Sequence, residues 1–347
     1  MTTWAYAEQI LHVDLTRRAA RTEPTPIALK RGYIGGAGFV ASLLAEAPSS
    51  GGVRERALTV REAGAAARVA LATGPLSDAM AGRLALGAWE DGRKVFSSMG
   101  GRMAAALKGS GYDAVVIDGR LDRPGVLVLE PDGVRLLDAG HLWGLEVPDV
   151  ARQLYLEAGP YWATIVLGPA ADYNVPFATM VHEGHVAGGS GVAAALGRKR
   201  IKAVMVRDTM AIPSRCTGCN LTCAAKLSPN AGRAGDLGLD APTAERLVAL
   251  AAALIEAGML PEPIELLTEI AYRRGVGAVF SDGEEAALRR LGPEAARFLS
   301  SLPPRRRRGG IGIADLLGTC QRVWQERPGE ILRSALVATQ GLLAGAS

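Results

Sequence analysis

Short apolar runs rich in β-branched residues, separated by glycine-rich connections, dominate the chain up to residue 207. Runs of this kind, bounded by turn residues, are typical of buried β-strands. Pro131-Asp132-Gly133 divides one of these runs, which predicts an antiparallel hairpin there. We predict strands within ARVALATG (67–74), YDAVVIDG (112–119), GVLVLEPDGVRLLDA (125–139), WATIVLG (162–168) and IKAVMVRD (201–208).

Helical spacing of apolar residues replaces this pattern in the last third of the chain. Residues 242–257 (PTAERLVALAAALIEA) have a proline in the first turn and stop before Gly258. Residues 263–275 and 283–292 continue in the same way, and GGRMAAALKGSG (100–111) is a helical stretch of the N-terminal part. The patterns predict an α+β protein. We expect a β-rich domain of mixed and antiparallel sheets at 1–209 and a smaller, mostly α-helical domain at 210–347.

Composition and charge narrow the class of protein only slightly. Hydrophobic residues make up 48% of the 347 residues and charged residues 21%, which is typical of a globular protein and excludes a mostly disordered one. The net charge of +4 and the pI of about 9.0 suit an acidic partner but are too small to indicate a nucleic-acid binder. No stretch approaches the roughly 20 apolar residues of a membrane-spanning helix, and the N-terminus lacks a signal-peptide pattern. We therefore expect a cytoplasmic protein with no membrane partner.

Three of the four cysteines lie within CTGCNLTC, as Cys216-x2-Cys219-x3-Cys223, and the fourth is Cys320. In a reducing compartment such a cluster more often binds metal than forms disulfides. Four thiolates suit a tetrahedral zinc or an iron–sulfur cluster. We favour a [4Fe–4S] cluster, because its separate corners accept three ligands from one loop and one from afar, whereas zinc sites more often pair two short loops.

Two other interpretations of the cysteines are weaker. Radical enzymes use the order Cys-x3-Cys-x2-Cys, which differs from the order found here. Without a metal, three thiols would line the start of a helix and Cys320 would be an unrelated core thiol. Three cysteines in eight residues are hard to explain in that way when the whole chain has four.

Seven segments of the first 206 residues resemble, in order, the N-terminal domain of the aldehyde ferredoxin oxidoreductase family. They are HVDLT (12–16), GYIGGAGF (32–39), TGPLS (73–77), GGRMAAALKGSGYDAVVIDGRLDRPGVL (100–127), LWG (142–144), LGPAADYNVPFA (167–178) and ALGRKRIKAVMV (195–206). The family carries a Cys-x2-Cys-x3-Cys loop after this domain and a late Asp-x-x-Gly-Leu-Cys motif. Here DLLGTC (315–320) matches the late motif except at Thr319.

The resemblance implies a set of cofactors and partners. A tungsten or molybdenum ion would be held by the dithiolenes of two pterins, for which the N-terminal domain forms the base, and Mg²⁺ could accompany the pterin phosphates. A [4Fe–4S] cluster would pass electrons from an aldehyde-like small molecule to ferredoxin or another acidic electron-transfer protein. A homodimer or a larger redox complex is compatible with this assignment. The implied cluster ligands are Cys216, Cys219, Cys223 and Cys320.

Several cofactor residues follow from the resemblance by position. Arg83 in AGRLAL matches the family arginine between pterin and cluster, where a rigid guanidinium can hydrogen-bond both groups. Gly100 and Gly101 match a glycine pair that lets the backbone approach the pterin closely. Ser98 stands where the family usually has an asparagine near the phosphates and magnesium.

The stretch AGGSGVAAALGRK (187–199) resembles a Gly-Arg-Gly phosphate-binding loop, to which Ser190 and Gly191 belong. Gly189 occupies the position of the arginine, so one phosphate contact of the family is weakened. The basic residues that could replace it are Arg198, Lys199 and Arg200.

The family's other pterin motif, Asp-x-x-Gly-Leu-Asp, is partly matched by GDLGLD (235–240). Gly235 stands at the first aspartate, Asp236 is its neighbour and Asp240 is the last residue. Asp240 would also serve as an N-cap for the helix that follows. The remaining implied pterin contacts are Asp315 and Gly318 of DLLGTC.

Two functional classes remain open from the sequence. Family members are longer between the cysteine loop and the last cysteine, and no histidine follows His185, so no acid/base pair can be assigned. Glu269 and Glu284 are acidic candidates, although an exposed glutamate on a helix is the ordinary expectation. We expect a shortened oxidoreductase of this family; the alternative is a shortened non-catalytic paralogue that serves as an Fe–S electron-transfer or assembly subunit.

PPRRRRGG (303–310) lacks interleaved aromatic residues and does not favour nucleic-acid binding.

Overall fold

The computed structural model describes residues 5–45, 67–78, 82–90, 92–209 and 231–304, together with Asp315 and Leu317. The described strands form two six-stranded sheets, and helices pack around both. The α+β class predicted from the sequence is confirmed.

The first sheet has the strand order β2-β1-β6-β3-β4-β5. Its strands are β1 (Gln9–Asp14), β2 (Ala19–Pro24), β3 (Val69–Ala72), β4 (Leu84–Glu90), β5 (Arg93–Met99) and β6 (Ala114–Asp118). β1 and β6 are parallel, and the other neighbouring pairs are antiparallel. Helices α1 (Ile27–Tyr33) and α2 (Gly36–Leu43) precede β3, and α3 (Met103–Gly109) follows β5. Phe39 and Val40 of α2 are fully buried against the sheet.

The second sheet has the order β11-β10-β9-β12-β7-β8. Its strands are β7 (Gly125–Glu130), β8 (Gly133–Asp138), β9 (Trp162–Leu167), β10 (Met180–His182), β11 (His185–Ala187) and β12 (Ile201–Arg207). β12 runs parallel to β7, and the other neighbours are antiparallel. Its helices are α4 (Val147–Ala158), α5 (Pro169–Asp172) and α6 (Val192–Arg198), with a 3-10 turn at Gly140–Leu142.

The strands predicted from apolar runs are present. β7 and β8 pair with Glu130 opposite Gly133, so Pro131 and Asp132 form the turn of the predicted hairpin. β3, β6, β9 and β12 each lie inside one of the other predicted runs. These four strands are buried along nearly their whole length, which explains why continuous apolar runs identified them.

The described part of the chain after residue 230 is helical. It contains α7 (Ala231–Leu237), α8 (Ala241–Glu256), α9 (Leu266–Ala271), α10 (Glu284–Leu291) and 3-10 helices at Val276–Val279 and Pro293–Ser301. Leu247 and Leu250 of α8 are fully buried in the same apolar cluster as Leu167 of β9. The predicted domain boundary near residue 210 lies outside the described residues and stays a prediction. Among the helices of the described ranges, none has the length and apolar character needed to cross a bilayer.

Candidate functional site

The edge strands of the two sheets meet, and this β5–β11 junction collects many of the predicted cofactor residues. β5 is the outer strand of the first sheet, and β11 is the outer strand of the second. Gly188 N donates to Ser97 Oγ at 2.8 Å, and Ser190 Oγ donates to Phe96 O at 2.8 Å. The two bonds hold the loop before α6 against β5, the strand that carries Ser98.

Arg83 and Ser98, predicted from separate stretches, contact each other directly. Arg83 Nε donates to Ser98 Oγ at 2.8 Å, and Arg83 Nη2 donates to Ser98 O at 2.8 Å. They are close because Ala85 of β4 pairs with Ser98 of β5. Arg83 Nη1 makes no hydrogen bond with any described residue. The guanidinium can therefore still donate to an anionic group.

The glycine pair after β5 lies against two histidines of the second sheet. A Cβ at Gly100 would stand 3.0 Å from His185 Nδ1, and a Cβ at Gly101 would stand 2.4 Å from His182 Cδ2. Gly101 also has a φ of +95°, which side chains rarely adopt. The fold alone thus explains glycine at these positions, and their contact with a pterin stays a prediction.

Asp240 lies beside Gly189, the loop residue at the arginine position of the resembled family. A Cβ at Gly189 would lie 2.7 Å from Asp240 Oδ1, so a longer side chain there would meet this carboxylate. Asp240 also begins α8, because its Oδ2 accepts from Thr243 N at 3.3 Å and from Thr243 Oγ1 at 2.5 Å. The N-cap interpretation of Asp240 is confirmed. Asp236, in the last turn of α7, is half-buried and makes no hydrogen bond or ion pair with a described residue.

The segment that carries Asp240 is attached to the second sheet through its backbone. Thr179 N donates to Gly238 O at 2.7 Å, and Asp240 N donates to Phe177 O at 3.0 Å. A Cβ at Gly168 would lie 2.8 Å from Gly238 N, so the two glycines permit this close approach. The stretches 167–178 and 235–240, which are distant in sequence, therefore pack together next to the loop before α6.

Asp315 lies in a short described piece near the start of β4. Asp315 is half-buried in a helical position, and Leu317 O accepts from Leu76 N at 3.1 Å in the turn after β3. The same turn touches the residues before β4, since a Cβ at Gly82 would lie 2.0 Å from Ser77 O. The Asp315 piece is therefore close to the strand that Arg83 precedes.

The three basic residues after the loop are engaged by other protein groups. Arg198 pairs with Glu90, Lys199 Nζ donates to a backbone carbonyl at 2.6 Å, and Arg200 donates to another carbonyl. Burial lowers the pKa of Lys199 to about 7. These contacts do not favour the use of the three side chains as replacements for a phosphate-binding arginine at Gly189.

The two acidic candidates for proton transfer have structural partners. Glu269 is 9% exposed and accepts from Ile264 N at 3.2 Å and Gly277 N at 3.0 Å. Glu284 Oε2 accepts from Arg246 Nε at 2.8 Å. Glu269 is thus buried, whereas the helix pattern favoured an exposed side chain. Neither glutamate lies among the residues of the β5–β11 junction.

Sequence reasoning missed Arg102, which follows the glycine pair. Arg102 Nη1 donates to Asp208 Oδ2 at 2.7 Å, and Arg102 Nε donates to Glu183 Oε1 at 2.5 Å. It thereby ties the glycine pair to the β10–β11 turn and to the end of β12. Only its position after Gly100-Gly101 could have suggested a role, because both partners are distant in sequence.

The predicted cluster ligands and one predicted pterin contact lie outside the described residues, namely Cys216, Cys219, Cys223, Cys320 and Gly318. Within the described ranges, no group of three or more His, Cys, Asp or Glu is arranged to hold a metal ion. The [4Fe–4S] assignment accordingly stays a prediction.

A family model and several known proteins match parts of the chain. The family model described as "Aldehyde ferredoxin oxidoreductase, N-terminal domain" matches residues 10–208. The tungsten-containing aldehyde ferredoxin oxidoreductase of Pyrococcus furiosus is 34% identical over 119 residues, covering 34% of this chain and 20% of that protein. The aliphatic sulfonate oxidoreductase WOR-like subunit of the same organism is 28% identical over 228 residues, covering 60% of this chain and 36% of that protein. The chain therefore matches well under half the length of these relatives.

A solved structure shares the fold. The active-site complex BamBC of benzoyl coenzyme A reductase, in complex with 1,5-dienoyl-CoA, aligns with a TM-score of 0.73 at 20% sequence identity. The alignment covers 85% of this chain and 64% of that chain. At this identity the likeness concerns the fold and leaves the ligand of this chain open.

Proposed function

Because the chain belongs to the aldehyde ferredoxin oxidoreductase family, as the match over residues 10–208 shows, we propose that it binds a tungsten or molybdenum bis-pterin at the β5–β11 junction and acts as an oxidoreductase. A [4Fe–4S] cluster on the four cysteines would relay electrons to ferredoxin. The proposed substrate is a small aldehyde, and the proposed compartment is the cytoplasm.

One observation supports this proposal most strongly: residues matched to the family in four separate stretches converge in space. Arg83 bonds Ser98, and β5 leads directly from Ser98 to Gly100 and Gly101. Ser190 bonds the same strand, and the loop residue before it lies against Asp240. Such convergence is expected of residues that surround one ligand.

The donors and acceptors at the junction fit a pterin with an anionic phosphate group. Arg83 contributes a positive charge and an Nη1 with no hydrogen bond to a described residue. The Ser98 hydroxyl accepts from Arg83 and still has its own proton to donate. Asp236, which is carried over from the family motif that ends at Asp240, would offer a carboxylate acceptor to ring and amino N–H groups of a pterin. We assign these three side chains to the holding of the cofactor.

When bound, the metal–pterin group would supply the two-electron oxidation of an aldehyde and water to a carboxylic acid, two protons and two electrons. The protein's part is binding and orientation. Arg83 neutralises anionic charge, and the side-chain-free Gly100 and Gly101 allow close approach. Glycine at position 189 leaves the phosphate-binding loop with less positive charge than an arginine would give.

Elemental analysis of the full chain, purified without oxygen, tests the proposal. We expect about four iron atoms per chain, together with tungsten or molybdenum, and a pterin released on denaturation. Iron without tungsten or molybdenum would contradict the proposed enzyme. Zinc in place of iron would contradict the cluster assignment as well.

A second candidate function rests on the limited length that the chain shares with its relatives, 20% and 36% of the two described above. The relative with the longer match is described as a WOR-like subunit of an oxidoreductase. We accordingly propose, as the alternative, a non-catalytic Fe–S electron-transfer or assembly subunit. It predicts about four irons per chain, no tungsten or molybdenum and no pterin in the same preparation. A stoichiometric pterin would contradict this alternative.

A further inference from the structure

His182, the last residue of β10, is held in one tautomer by its surroundings. The residue is 1% exposed, and its Nδ1 lies 2.9 Å from Thr164 O. A carbonyl oxygen only accepts hydrogen bonds, so Nδ1 carries a proton. In the neutral ring Nε2 is then an acceptor with a lone pair.

His182 Nε2 has no hydrogen-bond partner among the residues that the structure describes. Glu183 Oε2 lies 3.4 Å away, and a Cβ at Gly101 would lie 2.8 Å from the same nitrogen. A buried acceptor that faces a carboxylate is unfavourable. A proton on Nε2 would convert this contact into a charge-assisted hydrogen bond to Glu183.

The charged groups around His182 act in opposite directions. Glu183 favours the imidazolium, whereas Arg102 and the neighbouring His185 disfavour it. Arg102 Nε holds Glu183 Oε1 at 2.5 Å, and Arg102 Nη1 holds Asp208 Oδ2 at 2.7 Å. Burial is the largest effect, and it lowers the pKa of His182 below its ordinary value. The ring is therefore neutral at neutral pH.

We propose that His182 is a positioning residue of the candidate site, whose neutral ring keeps Gly100 and Gly101 in the geometry for ligand binding. Uptake of one proton at Nε2 draws the Glu183 carboxylate away from Arg102 and moves Gly101, which packs on the ring, together with the adjacent Gly100. The glycine geometry is thus kept above the pKa of His182 and lost below it. The inference rests on the proposed function only in taking Gly100 and Gly101 as cofactor contacts.

Nitrogen NMR of the histidine side chains, with amide spectra of ¹⁵N-glycine, tests this in the full chain without added cofactor. We expect Nδ1–H and an unprotonated Nε2 for His182 at pH 7.5, and a titration midpoint below 6.5, the ordinary histidine value. The amide signals of Gly100 and Gly101 should shift with that midpoint. His182→Asn, which keeps a donor near Thr164 O, should abolish the shift. His12→Asn is the matched control, because His12 contacts Glu23 on β2 at 2.9 Å.

A second variant keeps the test decisive if His182→Asn fails to fold. Glu183→Gln removes the negative charge that favours the imidazolium, so it should lower the midpoint of His182 further. An Nε2–H tautomer at pH 7.5, glycine signals that titrate unchanged in His182→Asn, or an unmoved midpoint in Glu183→Gln would each overturn the inference. The measurement needs no tungsten, pterin or cluster, so failure of the proposed function would leave its outcome unaffected.

Discussion

At the β5–β11 junction, close packing restricts which residue type fits at a position, independently of any role in cofactor binding. Gly101 has a left-handed backbone, and a Cβ at this position would lie 2.4 Å from the His182 ring. Gly111 has nearly the same φ, +93°, but no atom of a described residue lies within 4 Å of where its Cβ would stand. Substitutions at the two positions therefore distinguish the cost of backbone strain, which both share, from the cost of steric overlap, which applies to Gly101.

Gly101→Ala should lower the free energy of unfolding by about 2 to 4 kcal/mol, because strain and overlap with a buried ring add. Gly111→Ala, the matched control, should lose only about 1 to 2 kcal/mol from strain. Urea unfolding of both variants measures the difference. Equal losses would show that His182 does not restrict position 101.

The buried side chain of Lys199 makes the stability of the protein depend on pH. The pKa of Lys199, ordinarily 10.5, is lowered by burial to about 7. Between these values the unfolded chain binds a proton that the folded chain does not. The stability from this group is therefore present above pH 10.5 and is lost as the pH falls towards 7, at about 1.4 kcal/mol per pH unit.

Lys199→Met should flatten the rise of unfolding free energy between pH 7.5 and 9.5 relative to the wild type. Urea titrations at several pH values measure the slope. Lys94→Met on β5 serves as the control for the loss of any lysine and should keep the wild-type slope. The wild-type slope in Lys199→Met would contradict the role given to Lys199.

At the residue scale, the sequence predicted those site residues that match family motifs and lie on adjacent strands. Arg83 and Ser98 were both predicted, and they bond each other because β4 and β5 are adjacent. Burial of an ionisable group inside a helix is invisible in a sequence pattern, so Glu269 was expected to be exposed. The sequence indicated no role for His182, because Thr164, Gly101 and Arg102, which lie near it in the fold, are distant from it along the chain.

At the element scale, hydrogen bonds join the loop that follows β11 of the second sheet to β5 of the first. Ser97 Oγ accepts from the buried Gly188 N, and the Ser190 hydroxyl donates to β5. Without the Ser97 hydroxyl, the Gly188 amide would be a buried donor without this partner. Such a loss costs about 1 to 3 kcal/mol.

Ser97→Ala should therefore speed hydrogen exchange in the segment 187–191 and destabilise the protein by about 1 to 3 kcal/mol. Ser300→Ala is the control, since Ser300 is exposed and, within the described ranges, makes one hydrogen bond, at 3.4 Å to Arg297 O. Its effect should stay within about 0.5 kcal/mol. Unchanged exchange in Ser97→Ala would show that the serine bond does not hold the junction.

Elements with long apolar runs were predictable, whereas the edge elements of the junction were not. β10 and β11 have three residues each, too short for a periodic pattern. β4 contains Gly87, which a sequence pattern suggests is a connection. In the fold a Cβ at Gly87 would lie 2.5 Å from Val40 Cγ1, so glycine is needed there to pack α2. The β5–β11 junction therefore became visible only in three dimensions.

At the scale of the whole molecule, the described helices after residue 230 pack against the helices and connections that flank the second sheet. Arg233 Nη1 donates to Glu146 Oε2 at 2.5 Å, and Tyr272 OH donates to Gly144 O at 2.8 Å. Gly144 belongs to the LWG stretch that resembles the family, so that stretch contributes to the packing of the later helices. The segment between these helices carries Asp240, which lies beside Gly189 of the junction.

The central claim is that this junction holds a metal–pterin cofactor, and Arg83→Gln tests it most directly. Metal and pterin are measured per chain in the wild type, in Arg83→Gln and in the control Arg135→Gln. Arg135 is an exposed residue of β8 that pairs with Glu130 at the end of β7. We predict bound tungsten or molybdenum with pterin in the wild type and in Arg135→Gln. In Arg83→Gln we predict about tenfold weaker retention, equivalent to about 1.4 kcal/mol, with the fold intact by circular dichroism. Wild-type metal and pterin content in Arg83→Gln, or no pterin in any of the three proteins, would contradict the account.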